Sequence, residues 1–208
     1  MKKLTGVLPV AMLCLALAGP AAAATYSFNF TGGTQAITDG SWVNADINVG
    51  GDLGDIADVN VFLDITHTWI GDLDIYVAHQ EPGSSAWKWV QLYNDIDGDS
   101  RNNMTDVLFD DQALIHINDG IPPYGPGSFK PTSNPEAGES NLLSDYNGDA
   151  AAGIWSLAVF DNATGDFGSL LDFRVDVVTD AVPLPGAIVF LGSGLAALAG
   201  LSRRRKQN

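Results

Sequence analysis

A single cysteine, Cys14, occurs in 208 residues, and it lies in an apolar stretch near the N-terminus. The rest of the chain is thereby closed to disulfide stapling, thiolate catalysis and thiolate zinc sites, so its stability must come from a core or from a cation held by oxygen. Basic side chains are nearly as scarce. Between residues 25 and 180 only Lys88, Arg101, Lys130 and Arg174 are positive, against all 25 acidic residues of the chain, a net of −21. A field of that sign repels phosphate backbones and anionic membrane surfaces and excludes nucleic acid as a partner. Glutamate is rare even within the acidic set, with only Glu81, Glu136 and Glu139. The charge sits instead on short aspartates in Gly- and Asn-rich loops, which turns and hard-cation coordination both use. Helical periodicity is also missing from the body, and no internal repeat is evident.

What is present begins at the two ends. Lys2 and Lys3 precede an apolar stretch from Leu4 to Ala18, and the small residues Ala21 to Ala24 follow in an A-x-A pattern. This order reads as a secretory signal peptide over residues 1–24, with the mature chain starting near Thr25. At the other end, residues 181–208 contain a proline-rich box (Val182, Pro183, Leu184, Pro185), an apolar run to Leu201, and the basic cluster Arg203, Arg204, Arg205 and Lys206. The prolines fix φ and remove backbone donors, so the body stops near Asp180. Gly186 to Leu201 is 16 residues, which as a helix would span about 24 Å, short of a hydrocarbon core of about 30 Å. The basic cluster would hold that end in the cytoplasm and leave the body on the far side of the inner membrane.

Box, short apolar helix and terminal arginines together resemble the PEP-CTERM sorting signal of Gram-negative bacteria, with Leu184 standing where the family often has glutamate. That resemblance implies an exosortase as processing partner and the cell surface or extracellular polysaccharide matrix as destination. A plain membrane anchor is the other reading of the same residues.

Residues 25–180 form one domain of a size that buries its own core. Period-two alternation predicts strands almost throughout: Tyr26, Phe28 and Phe30; Val43 to Val49; Val59 to Ile65; Leu73 to Val77; Trp87 to Tyr93; Ala113 to Ile117; Ile154 to Phe160; and Leu170 to Val178. About eight strands suit an all-β jelly-roll sandwich. The interval 118–153, with five prolines, reads as an irregular excursion over one end of it.

Along these strands the runs ITHTWIGDLDIYV, LFDDQA and LLSDYNGDAAAGIWSLAVFDNATGDFGSLLDFRVDV resemble a P domain (P/Homo B domain) over roughly Asp58 to Val178. The matching positions are His67 with Gly71, Asp72 and Leu73, then Phe109, Asp110 and Asp111, then Gly153, Trp155, Ser156, Leu157, Asp161, Gly168 and Leu170. The resemblance implies a jelly-roll β-sandwich, in a family whose members usually follow and stabilise a subtilisin-like catalytic domain. The 33 residues from Thr25 to Ala57 leave no room for such a domain, and no serine sits in a nucleophile-elbow pattern. The chain therefore reads as non-catalytic, an exported binding or structural module, or an accessory to a separate subtilisin-like protease. His67 reads as a buried or turn-holding imidazole ahead of Asp72.

Two kinds of candidate site remain. Asp95, Asp97 and Asp99 stand at positions one, three and five of a loop with Asp106 at twelve, as in an EF-hand, although the glycine falls at four instead of six. The loop reads equally as a solvated hairpin. Further carboxylates are expected to gather at the sandwich ends: Asp72, Asp74, Asp110 and Asp111 in one set, and Asp145, Asn147 and Asp149 in another. Calcium is the cofactor such sets imply. Trp87 and Trp89, two apart on a strand, point to one face and offer a sugar-stacking platform, which makes carbohydrate binding a third functional class. Trp155, between apolar neighbours, reads as core.

Overall fold

The computed structural model describes residues 23–94 and 102–180. Alternation of apolar and polar residues builds ten strands among them: β1 (Ala24–Asn29), β2 (Gln35–Thr38), β3 (Trp42–Val49), β4 (Ile56–His67), β5 (Leu73–Gln80), β6 (Lys88–Asn94), β7 (Met104–Phe109), β8 (Gly127–Phe129), β9 (Gly153–Asp161) and β10 (Phe167–Thr179). Helix among the described residues is limited to single 3-10 turns at Ile70–Asp72, Ile117–Asp119 and Leu143–Tyr146. One sheet runs β1-β10-β4-β7-β8, and the other β3-β9-β5-β6. β2 also pairs with β10: it takes residues 167–170 of that long strand while β1 takes 174–179, so together they line one edge.

The inward faces of the two sheets share one core. Val59, Val61, Leu63 and Ile65 of β4 and Phe173, Val175 and Val177 of β10 meet Ile75 and Val77 of β5 and Trp155, Leu157 and Val159 of β9. This is an all-β, two-sheet sandwich, as the alternation predicted. Trp155 is fully buried, in agreement with its apolar neighbours.

Two departures from the sequence reading have local causes. Ala113 to Ile117 is not a strand. It is a turn followed by a single bridge from His116 to Lys130, and Leu114 is exposed. The chain there is returning toward β8, which pairs in parallel with β7. β7 itself was not expected, because its alternation is broken by a bulge. Leu63 pairs with Val107 and Ile65 with Met104, so Thr105 and Asp106 stand against the single residue Asp64, and Asp106 takes a φ of 52°. A second bulge between Leu170 and Asp172 shifts the parity of β10, which turns Leu171 outward while Leu170 and Phe173 both enter the core.

Residues 1–22 of the expected signal peptide, most of the Asp95 loop and the whole expected sorting tail fall outside the described residues. Among the described residues no helix is long and apolar enough to cross a membrane.

Candidate functional site: an aromatic recess on the outer face of one sheet

Side chains of opposite parity to the core cover the outer face of the β3-β9-β5-β6 sheet, and aromatic residues are unexpectedly dense among them. Reading across the strands, Trp42 of β3 lies beside Phe160 of β9 (ring centroids 4.9 Å) and Tyr76 of β5 (6.0 Å). Tyr76 meets Trp89 of β6 edge-on at 6.4 Å, and Trp89 lies 6.0 Å from Trp87. Between the larger rings the sheet carries Ala78, Ser156 and Ala158, and these small side chains recess the floor. The result is a hollow of about 360 Å³ lined by Trp42, Asn44, Tyr76, Trp89, Glu139 and Ala158.

The walls are held in place. Tyr76 Oη accepts a bond from the buried Gln91 Nε2 at 2.8 Å, and Gln91 Oε1 in turn accepts from the Glu136 backbone N–H at 2.7 Å. Burial, followed by the nearby carboxylates of Glu136, Asp74 and Glu139, pushes the Tyr76 hydroxyl far above the usual phenol range, so it remains a neutral donor. Glu139 reaches the hollow because its segment is pinned alongside β6: Ser140 bridges to Val90, and Gln91 N–H donates to Ser140 O at 2.7 Å. Trp42, Trp87 and Trp89 keep 53%, 37% and 39% of their surface exposed, which leaves their ring faces open to a ligand.

Trp87 and Trp89 therefore stand side by side as their spacing indicated, but of the two only Trp89 lines the hollow. Trp42, Asn44, Tyr76, Ala158 and Glu139 were missed. The signal for two of them was in the pattern: Trp42 shares parity with the polar Asn44 and Asp46, and Tyr76 with Asp74, which marks both rings as outward-facing. Glu139 arrives through an irregular loop and left no such trace.

The acidic sets are arranged differently from the expectation. β4 has twelve residues and spans roughly 40 Å at strand rise. Asp72 and Asp74 lie beyond its His67 end, whereas Asp110 follows Phe109, which pairs with Val61 toward the other end. The two pairs belong to opposite ends of the sandwich and cannot share an ion. Asp72 closes the 3-10 turn instead of continuing β5, while Asp74 is buried and accepts from Asn162 Nδ2 at 3.4 Å.

At the far end, Asp110 Oδ1 accepts from the Gln112 N–H, and Asp111 accepts from the Leu143 and Ser144 N–H groups, satisfying the start of the last 3-10 turn. Burial first, then Asp110 and Asp111, raise the Asp58 carboxyl above its ordinary range, with Gln112 opposing. Asp149 is paired with Lys88 at 2.6 Å and Asp145 accepts from Ser140 Oγ. Asp106 is exposed on its bulge, and with Asp172 it raises the Asp64 carboxyl, a smaller effect than burial there. No group of three or more His, Asp or Glu among the described residues is placed to hold a metal. Asp95, Asp97 and Asp99, like Val182, Pro183, Leu184, Pro185, Arg203, Arg204 and Arg205, lie outside those residues.

His67 is fully buried. Its Nε2 lies 3.2 Å from Asp161 Oδ2 across the two sheets, and its Nδ1 lies 2.9 Å from Trp69 O, holding the turn before Asp72. Gly168 pairs directly with His67, where a Cβ would come 2.1 Å from Thr66 O. Positions far apart in the P-domain-like runs thus converge on one buried corner.

The chain matches no family model and no curated protein. Among solved structures it is similar to the serine protease of Aeromonas sobria, with 17% identity and a TM-score of 0.43. It is also similar to the complex of that protease with its chaperone ORF2, with 15% identity and a TM-score of 0.44. In both cases the likeness covers 77% of this chain and 27% of the other. Likeness this distant leaves the function to be argued from the chain's own residues.

Proposed function

We propose that this protein is an exported, non-catalytic jelly-roll module of P-domain type, sorted by exosortase to the cell surface or polysaccharide matrix, where it binds glycan on the outer face of the β3-β9-β5-β6 sheet. The observation that carries the binding role is the aromatic recess. Rings set at a rigid sheet surface, those of Trp42 and Trp89 partly exposed and flanked by Asn44 and Glu139, offer apolar faces to the C–H side of a pyranose and polar atoms to its hydroxyls. The signal peptide and tail supply the route and destination. The test is retention of the full-length protein in polysaccharide-containing native gels. Trp42→Ala with Trp89→Ala is expected to abolish retention while the melting temperature changes little, since both rings are partly solvated. Unaltered retention in the double variant would remove the recess from the function.

Calcium is proposed at the loop running from Asp95 to Asp106, where four carboxylates fall within twelve residues of sequence. Millimolar Ca²⁺ is expected to raise the melting temperature by several degrees over chelator, by linkage, and Asp95→Asn with Asp97→Asn to cancel the rise. Identical melts with and without chelator would reduce the loop to a solvated turn.

A second reading, an accessory to a separately encoded subtilisin-like protease, is favoured by the co-linear P-domain runs and by the way their His67, Asp161 and Gly168 meet in one place. Under that reading the protein would co-purify with the protease and lengthen its thermal half-life, and changes in the aromatic recess would leave both unaffected.

A further inference from the structure

The rings of the recess are not arranged as a flat platform. Trp42 is inclined 51° to Tyr76, and Tyr76 stands at 81° to Trp89. A flat sugar ring stacks best on coplanar neighbours, whereas mutually inclined rings bound a hollow from more than one side, and the face of an aromatic ring, unlike its positive edge, attracts a cation. That arrangement favours a compact cation. The floor at Ala158 is small and apolar, and the charged group lining the space is the carboxylate of Glu139, with Glu136 beside the Tyr76 hydroxyl. Three aromatic walls and a carboxylate are the chemistry that holds an ammonium group.

The surroundings select in the same sense. The domain carries a net charge of −21, so an acidic polysaccharide would be repelled, a neutral one would gain nothing from the field, and a cationic one would be drawn in. We infer that the Trp42–Tyr76–Trp89 recess recognises the protonated amine of an amino-sugar polymer, such as a deacetylated glucosamine glycan, with Glu139 as its counter-ion. This rests on the glycan-binding reading above and narrows it to one class.

The experiment is calorimetric titration of the full-length protein with glucosamine hexamer, N-acetylglucosamine hexamer, cellohexaose and tetramethylammonium. The glucosamine hexamer is expected to bind at least about tenfold more tightly than either neutral hexamer. Glu139→Gln should bring it down to the neutral level, whereas Asp52→Asn, which removes an equal charge from an exposed residue outside the recess, should not. Ala158→Leu, which fills the floor, should abolish binding of every hexamer. Trp42→Ala, at a more exposed position, provides the same test should Ala158→Leu fail to fold.

Each contrary result has a separate meaning. Equal affinity for charged and neutral hexamers, unmoved by Glu139→Gln, overturns the ammonium assignment and leaves glycan binding standing. An equal loss from Asp52→Asn means diffuse charge attraction and also overturns it. Tetramethylammonium binding as tightly as the hexamer overturns the glycan as occupant. No binding of any hexamer overturns the glycan-binding reading itself.

Discussion

Asp161→Ala is expected to lower the melting temperature by roughly 6–20 °C. His67 and Asp161 are both fully buried, one on β4 and the other on β9, so their contact joins the two sheets at one end of the sandwich. Removing one partner leaves the other buried without its partner, a loss of about 3–5 kcal/mol, and each kcal/mol is about 2–4 °C for a domain of this size. Burial already holds the Asp161 carboxyl above its ordinary range, with His67 pulling it back down. His67→Ala should therefore cost as much, by leaving that buried carboxyl with the Ala163 N–H but without its partner across the sheets. Asp161→Asn should cost less, because an amide oxygen still accepts from Nε2. In a double-mutant cycle the two alanine changes should be strongly non-additive. Additive losses, or a melt shifted by under about 2 °C, would mean that the pair does not pin the sheets. The corner would then owe its order to the close approach of Gly168 alone.

The parts of the fold legible in the sequence are those governed by parity. A strand with one face in a core must alternate, so β3, β4, β5, β9 and β10 were marked by their valines, leucines and isoleucines. Parity fails at bulges. The Asp106 bulge concealed β7, and the one after Leu170 turns Leu171 outward, where it is 43% exposed. The acidic sets were misgrouped for a different reason: sequence shows which loops are acidic, but strand length and pairing register decide which loops share an end. Asp110 follows Phe109, which pairs with Val61, six residues short of the His67 end where Asp72 lies, however alike the two neighbourhoods read. The aromatic recess was half-legible. Trp87 and Trp89 announce themselves by spacing within one strand, but the site needs Trp42 and Tyr76 from two others, brought alongside by the order β3-β9-β5-β6. That order follows from long-range pairing, which no local pattern carries.

Gly153→Ala should be nearly as damaging as loss of the buried pair, through a wholly different mechanism. Gly153 opens β9 with a φ of 139°, a conformation that side chains rarely adopt, and the position a Cβ would take faces β5. A Cβ there would sit 2.3 Å from Gln80 O and 2.8 Å from His79 Nε2. Neither neighbour can step aside at little cost. Gln80 is held in register opposite Ile154, and the buried His79 ring stacks on Trp155 at 4.2 Å while its Nε2 lies 3.2 Å from Ala152 O. Burial holds this imidazole below its ordinary pKa, so it is neutral, and a shift that broke its bond to Ala152 would leave a second unsatisfied nitrogen beside Nδ1, which has no partner among the described residues. Backbone strain of about 1–3 kcal/mol and overpacking of about 1–3 kcal/mol together predict a fall of roughly 4–24 °C in melting temperature. The near-ultraviolet signal of Trp155 should change with it. Gly83→Ala separates the two contributions, since Gly83 also has a positive φ, 78°, but nothing lies within 4 Å of its would-be Cβ. It should show the strain alone, a shift of a few degrees. If the two alanine variants melted together, the close contact between β9 and β5 at Gln80 would not be what keeps this position glycine.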